Sequence, residues 1–414
     1  MIFLYNFFIF LYWLAIQIAA LWNKKAAQWL QGRENLWNSL HQQFDKVENL
    51  IWIHCASAGE LEQGKPIIEA LKEEYPSYKI LVTFFSPSGF NAAKKYIAAD
   101  FKTYLPLDTA SNAQKIVKII RPKLVVFVKY DYWYHHLKEI KAQAIPLIIV
   151  SYIFRSKQMF FKPYGSLHRK MLYFFTHIFV QDSSSQKLLN SIGNTNCTIA
   201  GDTRFDRVYR IAAASTDVAH IKNFIGEKNT IVAGSTWPDD EALLTSIDLE
   251  KVKLIIAPHE INDGHIEKIK SLFPHSIAYS TAGSVANLNS YPVLIIDNVG
   301  MLSRLYAYAT ITYIGGGFNK SGIHNTLEAA VWGKPVLFGP NYQKFKEARD
   351  LIREKGGFSI KTGEELKYMV EKFLHNETLL KQSGNAAKQY VANNKGATKK
   401  IMHYIQENRL LTKL

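Results

Sequence analysis

The segment ITYIGGGFNKSGIHNTLEAAVWGKPVLFGP (residues 311–340) contains the alternation of elements that decides the fold. An apolar run rich in β-branched residues leads into three glycines, Gly315–Gly317, then into a helical pattern and a second apolar run. Apolar runs without polar alternation are typical of parallel strands that are covered on both faces. The segment therefore predicts a strand–helix–strand unit of a parallel sheet.

The same alternation extends outward over most of the chain. We predict strands at 50–56, 79–85, 101–105, 123–129, 146–152, 177–181, 230–234, 252–257, 276–280, 292–296, 310–314 and 335–338. Amphipathic helical patterns lie between them, as in doubly wound α/β folds. We predict two Rossmann-like domains, 50–210 and 211–414, with the last helix free to pack back on the first domain. Ligands of such domains bind at the carboxyl ends of the strands, here in a cleft between the two domains.

Composition narrows the partners. The chain has 414 residues, 48% of them hydrophobic and 13% aromatic, which excludes a disordered protein. A net charge of +15 favours a phosphorylated small molecule or an anionic membrane surface as partner. The basic residues are scattered and no zinc-ligand spacing occurs, so we expect no nucleic acid partner. Two cysteines give no disulfide framework and indicate a reducing compartment.

The N-terminus predicts a membrane anchor over residues 1–22. Met1–Trp22 contains no charged residue, and as a helix it would measure about 33 Å, the thickness of a bilayer's hydrocarbon core. Lys24 and Lys25 follow directly, which keeps the rest of the chain on the cytoplasmic side. The anchor either spans the membrane or lies in its interface. Residues 23–49 predict one amphipathic helix that rests on the headgroups or packs on the following domain.

Several strand ends in the second half indicate a nucleotide site. Glycines after a strand let the backbone approach a ligand closely. Gly322 and Asn325 precede a helix with Glu328, where a helix N-terminus can meet a phosphate and the carboxylate can accept from ribose hydroxyls. Further strand ends lie in IVAGSTWPDDE (231–241), IIAPHE (255–260) and IIDNVGMLSRLYAYA (295–309). The absence of G-K-[ST] excludes a P-loop.

The ordered set of blocks resembles the 3-deoxy-D-manno-octulosonic acid (Kdo) transferases. The blocks are IHCASAGE (53–60), VTFFSPSG (82–89), YLPLD (104–108), GDTRFD (201–206), GST (234–236), GIHNTLEAA (322–330) and GKPVLFGP (333–340). The resemblance implies a GT-B glycosyltransferase fold. It also implies transfer of Kdo from CMP-Kdo to a hydroxyl of the lipid A precursor in lipopolysaccharide biosynthesis. The reaction would be inverting, with no metal or cofactor, at the cytoplasmic face of the inner membrane.

The resemblance also implies roles for residues. Glu60 matches the family's general base, which removes the acceptor's proton; its alternative role is a charge at a helix start. Arg204 matches a position assigned to stabilising the transition state, and its alternative is a surface charge. The implied donor contacts are Pro258, His259, Val299, Gly300, Met301, Asn325, Thr326, Leu327 and Glu328.

The chain departs from the family pattern at several positions, and Arg204 itself stands where the family usually has a lysine. In VKYDYW (128–133), Lys129 stands where the family has an acid tied to the transition state. Either Lys129 contacts the phosphate or carboxylate of the donor, or Asp131 replaces the missing acid. His259 stands in place of an arginine and Met301 in place of an acid.

Two further questions stay open from the sequence. The basic and aromatic stretch 154–170 could meet lipid phosphates or form an ordinary solvated helix face. One competing function is another GT-B enzyme, such as a UDP-sugar transferase acting on a membrane lipid or an epimerase, although Glu60 and the N-terminal anchor argue against an epimerase. The other is a membrane-bound nucleotide sensor without activity.

Overall fold

The computed structural model describes residues 1–214 and 216–412. The chain forms two compact units. Unit 1 comprises Met1–Arg207 together with Gly396–Leu414, and unit 2 comprises Val208–Lys395.

Each unit is built on a parallel sheet of seven strands. The strands of unit 1 are β1 (Leu50–His54), β2 (Lys79–Phe84), β3 (Phe101–Tyr104), β4 (Leu124–Val128), β5 (Leu147–Tyr152), β6 (His177–Val180) and β7 (Cys197–Ile199). Those of unit 2 are β8 (Thr230–Thr236), β9 (Lys253–Pro258), β10 (Ser276–Ala278), β11 (Val293–Ile295), β12 (Ile311–Ile314), β13 (Val336–Phe338) and β14 (Gly357–Ser359). The strand orders are β3-β2-β1-β4-β5-β6-β7 and β10-β11-β9-β8-β12-β13-β14. In unit 1 the chain adds strands on one side of β1 up to β3 and then on the other side from β4. In unit 2 the corresponding change of side lies between β8 and β12. Such points in a parallel sheet are switch points, where ligands bind.

Helices connect the strands. In unit 1 they are α1 (Ile2–Ala19), α2 (Lys24–Gln31), α3 (Leu36–Phe44), α4 (Ala58–Glu74), α5 (Pro87–Ala93), α6 (Ala110–Ile120), α7 (Tyr134–Ala142), α8 (Ser166–Leu172) and α9 (Ser183–Ser191). Then follow α10 (Thr203–Ala213), α11 (Ile221–Ile225), α12 (Pro238–Leu244), α13 (Asp263–Leu272), α14 (Leu302–Leu305), α15 (Leu327–Ala330), α16 (Lys346–Arg353), α17 (Gly363–His375), α18 (Glu377–Asn394) and α19 (Ala397–Glu407).

All twelve predicted strands are present, and two more were missed. The missed strands, β7 and β14, are three residues long and lie at sheet edges. Such short edge strands carry too few apolar residues for a pattern to be recognised. The α/β prediction is confirmed.

The prediction of one helix over 23–49 is wrong, because the segment folds as α2 and α3 with a break between them. A side chain at Gly32 would overlap the ring of Tyr104. The Arg33 guanidinium turns inward and donates to the carbonyls of Leu105 and Phe85, both at 2.9 Å. Trp29, Leu36, Leu40 and Phe44 are buried, so this segment packs on unit 1.

Apolar residues cover both faces of the unit 1 sheet. Leu36, Leu40 and Phe44 of α3 join the core on one face, and Ile401 and Ile405 of α19 join the core on the other. A third core fills unit 2 between its sheet and flanking helices.

Candidate active site

In unit 1 the predicted catalytic residues meet at the switch point between β1 and β4. Glu60 stands in the first turn of α4, directly after β1. Lys129 and Asp131 follow β4, the neighbouring strand. The chain order of strands around β1 is thus what brings positions 60 and 131 together.

Glu60 is a partly buried, oriented carboxylate. Its Oε2 accepts from the Ser57 backbone N–H at 2.8 Å and from the Ser57 hydroxyl at 3.1 Å. Burial raises the pKa of the Glu60 carboxyl, and the charge of Asp131 raises it further, while His54 and the Ser57 donors oppose the shift. A carboxylate with a raised pKa is a stronger base, which suits proton abstraction near neutral pH.

Asp131 is held by two ring N–H donors. His54 Nε2 lies 2.8 Å from Asp131 Oδ2, and Trp133 Nε1 donates to the same oxygen at 3.1 Å. His54 is fully buried on β1, and its Nδ1 lies 2.9 Å from Thr83 Oγ1. Because a carboxylate can only accept, Nε2 carries the proton, and in the neutral ring the Thr83 hydroxyl donates to Nδ1. The two hydrogen bonds fix the orientation of the Asp131 side chain.

Lys129 occupies a special backbone position at the end of β4. Its φ of 65° is in the left-handed region, which non-glycine residues rarely adopt and which recurs at functional sites. Its Nζ lies 5.5 Å from the centre of the Tyr130 ring. The side chain is half-buried.

Arg204 lies in the same electrostatic cluster. Its Nε and Nη2 donate to Asp202 Oδ2 at 2.9 and 2.7 Å. Burial raises the pKa of the Tyr130 hydroxyl, which also senses charges that include Arg204 and Glu60. Glu60 and Arg204 thus lie within electrostatic reach of Tyr130, and Lys129 and Asp131 are its neighbours in the chain.

In unit 2, three rings stack beside the ends of β8 and β9. The His259 ring centre lies 5.0 Å from that of Trp237 and 4.2 Å from that of His324. Trp237 Nε1 donates to His324 Nε2 at 3.0 Å. Burial, together with the neighbouring His259, lowers the pKa of His324 to about 4. His324 is therefore neutral at pH 7, as an acceptor from indole must be.

The glycine turn after β12 is fixed by a buried carboxylate. Asp240 accepts from the Gly316 N–H and the Tyr313 hydroxyl, both at 2.8 Å, and from the Trp237 N–H at 3.0 Å. Burial raises the pKa of Asp240, and these three donors oppose the shift. Side chains at Gly315 and Gly317 would overlap the backbone of Ser235 and of Gly339. The glycines are thus required for close packing of neighbouring loops.

The remaining predicted donor contacts lie at the end of β9 and around α14 and α15. Pro258 is the last residue of β9. Val299 is 84% exposed, Gly300 has a φ of 98°, and Met301 is buried before α14. Burial, and the charge of Glu328, raise the pKa of the Tyr306 hydroxyl, which places Tyr306 within electrostatic reach of Glu328.

The helix that carries Glu328 differs from expectation. α15 has only four residues, so it supplies little of the predicted dipole at a phosphate. Asn325 Nδ2 donates to Glu328 Oε1 at 3.0 Å, and its Oδ1 accepts from the Leu327 N–H at 3.2 Å. Thr326 and Leu327 are buried, so they shape the loop while Asn325 and Glu328 stay partly accessible.

Sequence reasoning did not assign roles to His54, Trp237 or Asp240. His54 ends β1 and Trp237 follows β8, so both stand at strand ends beside a switch point. Their position at a strand end could have marked both residues as candidate site residues from the sequence. Nothing in the sequence indicated that Asp240 is buried, because three consecutive acids at the start of a helix usually face solvent. Within 1–214 and 216–412, no group of three or more His, Cys, Asp or Glu side chains is arranged to hold a metal ion.

Comparison with known proteins finds a family match in the first half of the chain. Residues 29–207 match the family described as "3-Deoxy-D-manno-octulosonic-acid transferase (kdotransferase)". The chain is similar to the curated 3-deoxy-D-manno-octulosonic acid transferase of Rickettsia felis, at 26% identity over 87% of this chain and 79% of that protein. The enzymes of the same name from Chlamydia trachomatis and Haemophilus influenzae are 27% and 23% identical, over 79% and 86% of this chain and 78% and 86% of theirs. The resemblance drawn from the sequence blocks is confirmed.

Solved structures agree on the fold. A putative UDP-N-acetylglucosamine 2-epimerase from Listeria monocytogenes matches with a TM-score of 0.60 and 14% identity, over 88% of this chain and 98% of that chain. A glycosyltransferase from Rickettsia africae matches with a TM-score of 0.54 and 13% identity, over 87% of this chain and 98% of that chain. At these identities the likeness concerns the fold alone, which is the GT-B type.

Proposed function

Because residues 29–207 carry the domain of the Kdo transferase family, we propose that this protein is a Kdo glycosyltransferase that uses CMP-Kdo as donor. The family match supports a glycosyltransferase role in lipopolysaccharide synthesis. The acceptor we propose is a hydroxyl of the lipid A precursor, and the site of reaction is the cytoplasmic face of the inner membrane. The observation that carries the proposal is the oriented, partly buried Glu60 at the switch point of the unit 1 sheet.

Glu60 acts as general base in this proposal. Both hydrogen bonds from Ser57 fall on Oε2, so Oε1 is the oxygen that takes the proton of the acceptor hydroxyl. The freed oxygen then attacks the anomeric carbon of Kdo as the bond to CMP breaks, and the configuration inverts. A base on the acceptor side requires a carboxylate that is ionised before the reaction, which holds above the raised pKa of Glu60.

The neighbouring charges stabilise the two ends of the breaking bond. Glycosyl transfer develops oxocarbenium character at the sugar, and the fixed anion Asp131 is the group we assign to it. The cations Lys129 and Arg204 offset the charge that develops on the departing phosphate or lies on the Kdo carboxylate. In this assignment Asp131 replaces the acid that the family has at position 129. The cations supply the electrophilic help that a metal gives in other transferases.

Unit 2 is proposed to hold the cytidine nucleotide. Aromatic rings bind a nucleobase by stacking, and the ring series Trp237, His259 and His324 lies beside the strand ends. Glu328, with Asn325 beside it, is proposed to accept from the ribose hydroxyls. The loop 299–301 completes the contacts with the nucleotide.

The assignment of the base is tested by a matched pair of variants on α4. Glu60→Gln keeps an oxygen that can accept from Ser57 but cannot take a proton. We expect transfer of Kdo from CMP-Kdo to lipid A precursor to fall 10²- to 10⁴-fold. The control Glu62→Gln changes an exposed acid on the same helix, whose ion-pair partner is Lys65. This variant should keep wild-type activity. Full activity of Glu60→Gln would remove the base assignment, and a wild type that transfers no Kdo would remove the function.

The donor is tested separately by thermal protection. We expect CMP to raise the melting temperature of the full chain and UDP to leave it unchanged. His259→Ala should abolish the CMP shift, whereas His375→Ala, an exposed change at the end of α17, should not affect it. Protection by UDP in place of CMP would favour the alternative, a UDP-sugar transferase.

A further inference from the structure

One side of α1 is fastened to unit 1 by polar contacts. The Tyr5 hydroxyl donates to Asp108 Oδ2 at 2.5 Å and accepts from the Tyr134 N–H at 3.2 Å. His135 Nε2 lies 2.6 Å from Asn6 Oδ1. Asp108 is buried and also accepts from the His135 and His136 backbone. α1 is therefore an integral part of unit 1 over its first turns.

Apolar and aromatic contacts continue this attachment toward the candidate active site. Ile9 is buried, and the Tyr12 ring stacks on Phe85 with centres 6.1 Å apart. Phe85 packs on Trp133 at 4.7 Å, and Trp133 donates to Asp131. Phe85 follows β2, Asp108 follows β3 and Tyr134 follows β4. The helix thus runs across the carboxyl ends of β2, β3 and β4, which is the end of the sheet where the candidate catalytic residues lie.

The opposite side of α1 is apolar and uncovered. Phe3 is 85% exposed, and Phe7, Phe10, Leu14 and Ile18 continue the same face at helical spacing. Within Ile2–Ala19, Ile9 is the one residue that is buried. An exposed apolar surface of this extent on a helix is typical of contact with a membrane.

Exposed basic residues lie near both ends of α1. Lys24 and Lys25 follow the C-terminal end of α1. At the other end the Ser166 hydroxyl contacts Met1 Sδ at 3.5 Å, and the exposed Lys170 lies on the same helix, α8. Lysines beside an apolar helix complement anionic lipid headgroups. The charges therefore point to the surface of an anionic bilayer as the occupant.

The contacts between α1 and unit 1 decide how the helix is oriented relative to the membrane. In a spanning helix, Tyr5 would lie near one surface of the hydrocarbon and Tyr12 near its middle. Their partners, including the ionised Asp108 and the strand ends of unit 1, would have to follow them, which is strongly unfavourable. A helix parallel to the membrane plane keeps every contact and still buries its outer face in lipid.

We propose that α1 lies in the plane of the membrane interface, with Phe3, Phe7, Phe10, Leu14 and Ile18 in the acyl region. It does not cross the bilayer. The helix holds the strand-end edge of unit 1, with Glu60 and Asp131, at the level of the lipid headgroups. This inference stands on the contacts of α1, so it and the proposed chemistry can fail independently.

Depth measurement by nitroxide labels on the full chain tests the orientation. Single cysteines replace Phe3, Phe10 and Ile18 in turn, and the unsubstituted protein, whose Cys55 and Cys197 are buried, reports background labelling. The labelled proteins are bound to vesicles of phosphatidylglycerol and phosphatidylcholine, and relaxation by oxygen and by a water-soluble nickel chelate gives the depth of each label.

We expect the three labels to lie at one shallow depth, within a few ångströms of each other. A spanning helix would place the Phe10 label about 10 Å deeper than each end label, because α-helical rise is about 1.5 Å per residue. That gradient would overturn the proposal, and so would three labels exposed to the aqueous relaxant. Activity is not read in this experiment.

Discussion

At the start of α4, one carboxylate serves both the helix and the proposed chemistry. Glu60 accepts from the Ser57 N–H in the manner of a capping box, so its alternative role as a helix-start charge is also present in the structure. The two roles are compatible, because the capping bonds fix one oxygen and thereby aim the other. Burial and Asp131 raise the pKa of Glu60 despite these bonds. The residue is consequently both oriented and more basic than an exposed glutamate.

The interaction between the two acids predicts a shift in the pH profile. If Glu60 must be ionised, kcat/KM falls as pH drops through its raised pKa, so the acid limb lies above the ordinary value of 4.5. Asp131→Asn removes a negative charge that raises this pKa, and we expect the limb to move to lower pH while the rate also declines. Asp45→Asn, an exposed change in unit 1, should leave the limb in place. An unmoved limb in Asp131→Asn would show that the two carboxylates are not coupled.

Among the elements, the loops after β12 and β13 depend on backbone-to-backbone contact. Gly317 and Gly339 each occupy the space that a side chain on the other would need. Asp240 then fixes the turn through the Gly316 N–H. The proposed nucleotide loops are therefore shaped by packing between neighbouring strand ends rather than by any one helix dipole.

This close contact predicts a large difference between two glycine substitutions in unit 2. Gly317→Ala should lower the free energy of unfolding by about 1–3 kcal/mol or more, as overpacking does. Gly264→Ala, in the first turn of α13, has its nearest neighbour at 3.6 Å and no positive φ, so stability should be unchanged or slightly raised. Denaturant unfolding of both variants measures the difference. Equal stability of the two would contradict the tight packing of Gly317 on Gly339.

For the whole molecule, the important feature is that the chain returns to unit 1 at its end. Asp206, in α10, accepts from the backbone N–H groups of Gly396 and Thr398 at 2.6 and 2.8 Å. These bonds satisfy N–H groups at the start of α19 that have no partner within the helix. Ile401 and Ile405 of α19 are fully buried in the core of unit 1. The last helix is thus structural for the unit that holds Glu60.

Because the chain returns to unit 1, Ile401 near its end should contribute to the stability of that unit. Ile401→Ala should cost about 2–5 kcal/mol of unfolding free energy, the range for truncation of a buried isoleucine. Amide hydrogen exchange should show the lost protection in the strands of unit 1 and leave those of unit 2 unaffected. His403→Ala, on the exposed side of α19, is the control and should change neither. Loss of protection confined to unit 2 would contradict the assignment of α19.

The apolar runs by themselves determined the fold class. Runs such as LVVFV (124–128) are buried whichever way the helices pack, so twelve strands and the parallel sheet follow from local pattern. The ordered blocks also determined the family resemblance and placed Glu60, Lys129, Asp131 and Arg204 as candidates. In each of these cases the information lies in neighbouring residues along the chain.

Tertiary structure decided what depends on partners distant in the chain. The burial of Asp240, the pairing of His54 with Asp131 across β1 and β4, and the stacking of Trp237, His259 and His324 each join residues from separate segments. The break at Gly32 arises because Tyr104 occupies the space beside it. The attachment of α1 follows the same rule, since hydropathy records only that its residues are apolar, whereas Asp108 and His135 fix which side of the helix faces the protein. The sequence pattern records the local preference of a segment. The orientation of a helix, the partners of a side chain and its pKa depend on the residues that the fold places beside it.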